Sequence, residues 1–326
     1  MAAICCWCGT GLDRVTPDVI AESPWVCPTR ACMDRQLKWS VIATQKGKPS
    51  RGLYVPLPRQ VQWHEAVYDR QITRLLVGGA AGPGKSKWLR EMLYRFAQTV
   101  PGFHGLLLRR THKDLDQSHL RFVPYEVAQR GGVWKASDRV VEFAHPGKPA
   151  AIIRMGHLED SGALQNYLSA EYDCIAPDEL VTFQKDEMLE LFSRARSSNP
   201  TLKALRGGFE YWDTNEDGEM ELMETDGSLV AGSTNPGGRG AQWIFDFFID
   251  KAPDPEEHPH YKPQFWASHD ARVKDNPYIS RGYLATLKDL PEMRRRQLMD
   301  GDWHAHEGQF FDFRKLIHVA DLGIAA

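Results

Sequence analysis

Gly79-Ala80-Ala81-Gly82-Pro83-Gly84-Lys85-Ser86 is an unbroken G-x-x-x-x-G-K-[ST] loop. The apolar run Leu75-Leu76-Val77 precedes it, and a helix-prone stretch follows from Lys87. Strand, glycine-rich turn and helix in that order wrap successive backbone N–H groups around a phosphate at the helix N-terminus. Gly79, Ala80, Ala81, Gly82, Pro83 and Gly84 would form the cradle, Lys85 would reach the β- and γ-phosphate oxygens, and the Ser86 hydroxyl would take a place on Mg²⁺. The chain is therefore expected to bind ATP with Mg²⁺.

Outward from the loop, a helix is predicted over about Lys85–Thr99, stopped by Pro101-Gly102. Gly105-Leu106-Leu107-Leu108-Arg109 reads as a buried strand, and residues 140–143 and 151–155 as two strands around a His145-Pro146-Gly147 turn. Residues 172–176 are a further apolar run that delivers Asp178-Glu179, and residues 228–232 deliver Ser233-Thr234-Asn235-Pro236-Gly237-Gly238. Strands alternating with helices imply a parallel sheet whose ligands gather at the strands' C-terminal ends, where these polar segments fall. An ATPase needs a carboxylate for Mg²⁺ and another for the attacking water; Asp178 is read as the first and Glu179 as the second. Pro177 just before them is tolerable because the strand is ending. A short helical pattern covers residues 63–70, aromatic helix 242–250, and a mainly helical block 278–303.

With 326 residues, 42% of them hydrophobic and 25% charged, the chain has room for one large α/β core with appendages. No apolar run approaches the roughly 18 residues of a membrane span, and the start lacks the apolar core of a signal peptide, so a cytoplasmic protein is expected. A formal charge of -3 gives no global attraction to nucleic acid, which leaves DNA contact to local clusters such as Arg294-Arg295-Arg296 or residues 46–51. Five of the six cysteines fall in the first 32 residues. Cys5-x2-Cys8 and Cys27-x4-Cys32, with 18 residues between the pairs, suit a tetrahedral structural zinc with no open coordination place. Cys6 competes with the first pair at a poorer spacing, and Cys174 reads as core. Asp213-x-Asn215-x-Asp217-Gly218-x5-Glu224 fits the calcium-loop pattern, but Gly207-Gly208 and Asp226-Gly227 spoil the flanking helices, and the flanks read as a hairpin.

The order of these parts resembles the large terminase subunit of tailed double-stranded DNA bacteriophages, over residues 57–313. Leu107-Leu108-Arg109-Arg110-Thr111 is similar to the family's motif after the first helix, residues 172–179 to its Walker B segment, and Phe192-Ser193-Arg194-Ala195-Arg196 to its Ser-Arg-x-Arg segment. Ser233-Thr234-Asn235-Pro236-Gly237-Gly238 resembles the coupling motif; Asp275-Asn276-Pro277, Gly301-Asp302-Trp303 and Gly308-Gln309-Phe310-Phe311 resemble the signatures that close the ATPase region.

The resemblance implies an ATP-driven motor subunit that moves double-stranded DNA into a procapsid, in the cytoplasm of the infected bacterial host. Its implied partners are the portal protein, the small terminase subunit and further copies of itself in a ring. Gln62, or else Gln60, is similar to the glutamine that reads adenine, and Thr234 and Asn235 to the polar strand end that senses the γ-phosphate. The family often carries an arginine inside the loop where this chain has Ala80, Ala81 and Pro83. A transition-state guanidinium is then expected from Arg194 or Arg196 of a neighbouring subunit.

The expected fold class is thus α/β: a P-loop NTPase of the additional-strand, catalytic-glutamate (ASCE) type, its mainly parallel sheet flanked by helices. The expected divisions are a zinc ribbon over 1–45, a linker over 46–58, the ATPase core over 59–250, a small helical lid subdomain over 251–313, and the start of a linker to an absent nuclease domain over 314–326. An ATPase fragment is favoured over a nuclease supplied as a separate polypeptide, and Asp302 and Asp312 are not read as nuclease residues. The alternatives are a helicase or DNA-remodelling ATPase, and a zinc-ribbon docking module stabilised by a structural nucleotide.

Overall fold

The structure, a computed structural model, describes residues 3–4, 11–12, 54, 56–214 and 218–305. Cys5, Cys8, Cys27 and Cys32, the basic cluster at 46–51, Asn215, Asp217, residues 308–311 and the segment 314–326 lie outside the described residues. Two short strands near the start, β1 (Ala3–Ile4) and β2 (Gly11–Leu12), pair antiparallel.

Helix α1 (Pro58–Val67) starts earlier than the 63–70 pattern suggests, and inside the segment expected as linker. Pro58 sits in the first turn, where its missing N–H costs nothing, and Gln60 Oε1 reaches back to accept from Leu57 N at 2.9 Å. The phosphate loop joins β3 (Arg74–Gly79) to α2 (Lys85–Thr99), the bounds expected for that helix. After β4 (His104–Arg109), a short α3 (His112–Leu115) runs into a π turn at Asp116–Leu120 and then α4 (Val123–Ala128). Strands β5 (Val133–Lys135), β6 (Val140–His145) and β7 (Lys148–His157) form an antiparallel meander, followed by α5 (Ser161–Leu168) and β8 (Cys174–Pro177). Helices α6 (Lys185–Phe192) and α7 (Pro200–Arg206) lead to a hairpin of β9 (Glu210–Thr214) and β10 (Met220–Glu224), then β11 (Leu229–Ser233) and α8 (Ala241–Ile244).

One eight-stranded sheet has the order β12-β3-β11-β8-β4-β7-β6-β5, where β12 is Trp266–Ala271. The six strands from β12 to β7 are parallel. Strand β11 therefore stands between the phosphate-loop strand and the strand that delivers Asp178-Glu179, which is the additional-strand arrangement. Both faces of the sheet are covered, so alternate residues of each central strand enter opposite cores. Leu75, Val77, Leu107, Cys174 and Ala176 pack with Trp63, Trp88 and Phe96 on one face; Leu76, Leu106, Leu108 and Ile175 pack with Met188, Trp243 and Phe248 on the other. This double burial is why the strands read as continuous apolar runs rather than alternating ones. Cys174 is core, as expected, and burial pushes its thiol up to about 12.

The core does not end at 250: β12 lengthens the main sheet beside β3, and helical structure that meets the phosphate loop begins only after it, with α9 (Arg281–Lys288) and α10 (Glu292–Arg295), which runs into a π turn at Arg296–Asp300. The Asp213–Glu224 segment is a hairpin, as its flanks suggest. Asp213 faces Glu221 across it, whereas Glu224 faces Glu210 and so lies on the other side of the ribbon. Asp213 pairs with Lys262 at 2.5 Å and Glu224 pairs with Lys203, so the two carboxylates do not converge on one ion.

Candidate active site

The loop that closes β3 is built by backbone conformations that side chains resist. Gly79, Gly82 and Gly84 have φ of 119°, 89° and 87°. A Cβ on Gly84 would stand 2.7 Å from Gln60 Nε2, which donates to Pro83 O at 3.1 Å and Gly84 O at 3.3 Å. Gly84 caps α2 without a side chain, and Lys85 and Ser86 occupy the first turn, where N–H groups have no acceptor within the helix. That set of orphan donors fits an anionic phosphate.

The last helical block grips the same loop. Ala81 N donates to Leu298 O at 2.8 Å, Asn276 Nδ2 to Gly82 O at 2.7 Å, and Gly301 lies against the backbone of Gly79 and Ala80. Trp303 packs so close to Gly78 that a Cβ there would meet its ring at 2.8 Å. Two segments with terminase-like signatures, Asp275-Asn276-Pro277 and Gly301-Asp302-Trp303, are therefore loop contacts. Asp302 itself is occupied by Arg296 at 2.6 Å and caps His304 N, and Arg294 bonds Gln297. Two of the three arginines of the 294–296 cluster are thus engaged within this last helical block.

Lys85 Nζ is buried and donates to Ala80 O at 2.6 Å and Asn235 Oδ1 at 2.7 Å. Burial lowers it to about 8, against the opposing pull of Glu179 and Asp178. Asn235 Nδ2 in turn donates to Glu179 at 3.3 Å, so one amide joins the loop lysine to the glutamate. Glu179 sits at φ 55°, a left-handed conformation that a non-glycine residue holds only where its surroundings impose it. Burial, with repulsion from Asp178, raises its carboxyl above the usual range.

Asp178 is fully buried and heavily bonded. Oδ2 accepts from His119 Nε2 at 2.9 Å and Arg109 Nη1 at 3.1 Å, and Oδ1 accepts from the Ser233 hydroxyl. Burial alone would raise its carboxyl, but the His119 hydrogen bond and the Arg109 charge outweigh that and hold it well below the usual range. A carboxylate kept ionised here, near the orphan donors of α2, is a fitting neighbour for a magnesium nucleotide.

Lys85, Asp178, Glu179 and Asn235 are therefore brought together as the spacing implied. Thr234 is buried, and its hydroxyl accepts from Val181 N at 3.2 Å, tying β11 to the segment after Glu179. Gln62 is exposed and bound to Arg59, while Gln60 is the glutamine against the loop. Arg194 and Arg196 lie beside Tyr172, at the start of β8 and at the opposite end of the strand from Asp178. Six residues of extended chain span about 20 Å, so neither reaches its own site. Arg196 pairs with Glu171 at 3.0 Å. Sequence reasoning missed Arg109 and His119 as partners of Asp178. Arg109 ends β4, whose neighbour in the sheet is β8, but His119 carries no motif.

Fold and loop together define the class: an α/β chain whose mainly parallel sheet has an additional strand, β11, beside the strand that ends in the G-x-x-x-x-G-K-S loop. No known family profile matches the sequence, and a search of curated proteins finds none similar. Among solved structures, the fold is that of large terminase. The large terminase of a thermophilic bacteriophage in complex with ADP matches with a TM-score of 0.55 at 13% identity, over 76% of this chain and 53% of that one. The same phage's large terminase in complex with ATP-γ-S matches with a TM-score of 0.54 at 12% identity, over 76% and 52%. The large terminase ATPase domain of a Thermus phage gives a TM-score of 0.47 at 15% identity, over 77% and 94%. This chain spans about half the length of the two nucleotide-bound terminases it matches. Among the described residues no helix is long and apolar enough to cross a membrane.

Proposed function

We propose that this chain is the ATPase of a phage large terminase, hydrolysing ATP to drive double-stranded DNA into a procapsid. The observation that carries the reading is the Lys85–Asn235–Glu179 connection, set beside Asp178 in a fold shared with nucleotide-bound large terminases. Residues 79–86 would hold the phosphates, with Ser86 and Asp178 for Mg²⁺ and Gln60 or Gln62 beside the adenine. A bound magnesium ion would supply neutralisation of the phosphoryl charge. Glu179 orients the attacking water and takes its proton on a carboxylate oxygen, a task suited to a raised carboxyl.

Lys85 Nζ spends its three donors on Ala80 O, Asn235 Oδ1 and, at 3.4 Å, Gly79 O, so a γ-phosphate takes up the lysine by displacing one of these acceptors. Where Asn235 Oδ1 is the acceptor displaced, the amide leaves the lysine and keeps its Nδ2 bond to Glu179. That exchange gives a route from phosphate occupancy to β11 and, through the glycines of Asn235-Pro236-Gly237-Gly238, to Gln297 of the lid, against which Gly237 is packed.

The position of Arg194 and Arg196 supports a role only in a neighbour's site, in a head-to-tail ring docked on the portal and supplied with DNA by the small subunit, in the cytoplasm of an infected bacterium. Within such an assembly, Arg194→Ala or Arg196→Ala is expected to lower turnover by about 10³-fold or more with nucleotide binding intact. Full turnover by both assembled variants contradicts the assignment. For the N-terminal segment the same reading gives a zinc ribbon held by Cys5, Cys8, Cys27 and Cys32. The β1–β2 pairing supports it, because the segment joining these strands carries the first two cysteines of that set. Metal analysis of protein purified without added zinc is expected to find about one zinc per chain; none bound removes the ribbon.

The test of the function is ATP hydrolysis with and without long double-stranded DNA. Turnover that DNA stimulates supports the packaging reading, and nucleotide binding without turnover under any condition opposes it.

A further inference from the structure

Asp178 has two basic partners, and they differ. Arg109 is partly exposed and contributes one bond at 3.1 Å. His119 is fully buried, on the π turn after α3, and lies 2.9 Å from Asp178 Oδ2 through Nε2. Its other ring nitrogen, Nδ1, lies 3.2 Å from Arg90 Nη1. A guanidinium can only donate, so Nδ1 accepts and the ring proton sits on Nε2, aimed at Asp178.

Arg90 is itself immobilised. It is buried on α2, one turn beyond Ser86, and makes a two-pronged pair with Glu126 of α4 at 2.8 and 3.0 Å. Glu126 also accepts from Lys87 at 2.7 Å and Tyr94 at 3.2 Å. The chain Glu126–Arg90–His119–Asp178–Ser233 thus runs without a gap from α4, by way of the helix that carries Lys85, to the end of β11. A buried polar chain of this kind is stable only when every member is satisfied, and it then fixes the spacing of what it joins.

We propose that His119 is a positioning residue: it orients Asp178 for a magnesium nucleotide and locks its distance from the phosphate-loop helix through Arg90. The inference rests on the reading of Asp178 as the magnesium-side carboxylate. An outer-shell partner of this kind is worth about 10- to 100-fold in metal affinity. His119 acts through Asp178 and touches no reacting atom.

The test is calorimetric binding of ATP-γ-S to the full chain in EDTA and across a Mg²⁺ titration, with His119→Phe, His119→Met and His119→Gln. Glutamine keeps one donor and one acceptor at the end of a side chain of similar reach; the apolar variants keep volume alone. The apolar variants are expected to raise the Mg²⁺ midpoint about 10- to 100-fold while magnesium-free affinity changes less than about threefold, and glutamine to restore the midpoint to within about threefold. An unchanged midpoint in a folded apolar variant overturns the inference. So do equal losses with and without Mg²⁺, which mark a merely structural histidine. If neither apolar variant folds, His119→Gln decides, and a rise of about tenfold in its midpoint overturns the inference. Wild-type protein that binds no ATP-γ-S sinks the ATPase reading itself, an outcome distinct from any of these.

Discussion

Glu179→Gln is expected to bind ATP about as well as the wild type and to hydrolyse it at least about 10²-fold more slowly. The substitution keeps shape and an oxygen that can accept from Asn235 Nδ2, so the Lys85–Asn235 side of the site survives. On the proposed reading, what is lost is the group that takes the proton of the attacking water, a contribution of about 10² to 10⁴ in rate. Binding is read by calorimetry and turnover by phosphate release. Near-normal turnover would move the base elsewhere. Loss of binding would make Glu179 a structural partner of the loop.

The second large effect concerns stability rather than chemistry. Arg206, at the end of α7, is only 1% exposed, yet its guanidinium serves four backbone carbonyls: Gly227 at 2.5 Å, Ile72 at 2.6 Å, Ser228 at 3.3 Å, and Val67. These belong to the end of α1, the turn before β3 and the turn before β11, so one side chain fastens the N-terminal edge of the sheet. Burial lowers it to about 10. Arg206→Met keeps the apolar stem and leaves those acceptors short of donors, each such loss costing about 1–3 kcal/mol. A total near 4–5 kcal/mol lowers the melting temperature by about 6–9 °C. A shift under about 3 °C would show that the carbonyls find other donors.

The parts legible in the sequence are those where one physical rule acts alone. The phosphate loop is decided by glycines that no other residue replaces. Strands β4, β8 and β11 announce themselves because both their faces are buried. Strand β12 is an edge strand of Trp-Ala-Ser-His-Asp-Ala, half exposed and polar, so its pairing with β3 leaves no apolar signature. Glutamines 60 and 62 both lie near the start of α1, and only the register of that helix sends Gln60 to the loop and Gln62 to Arg59. His119 escapes for a different reason. It meets Asp178 59 residues away along the chain through a π turn, and nothing local marks the encounter.

On the proposed reading, the residues gathered around Lys85 make an ATPase whose work is to move DNA. The most direct measurement is ATP hydrolysis by the wild type and Glu179→Gln across a range of protein concentrations, each with and without long double-stranded DNA. Turnover is expected to rise cooperatively with protein concentration and with DNA, as it would if neighbouring copies complete each site, and to vanish in the variant. Turnover indifferent to both protein concentration and DNA, or equal in the two proteins, would contradict that reading.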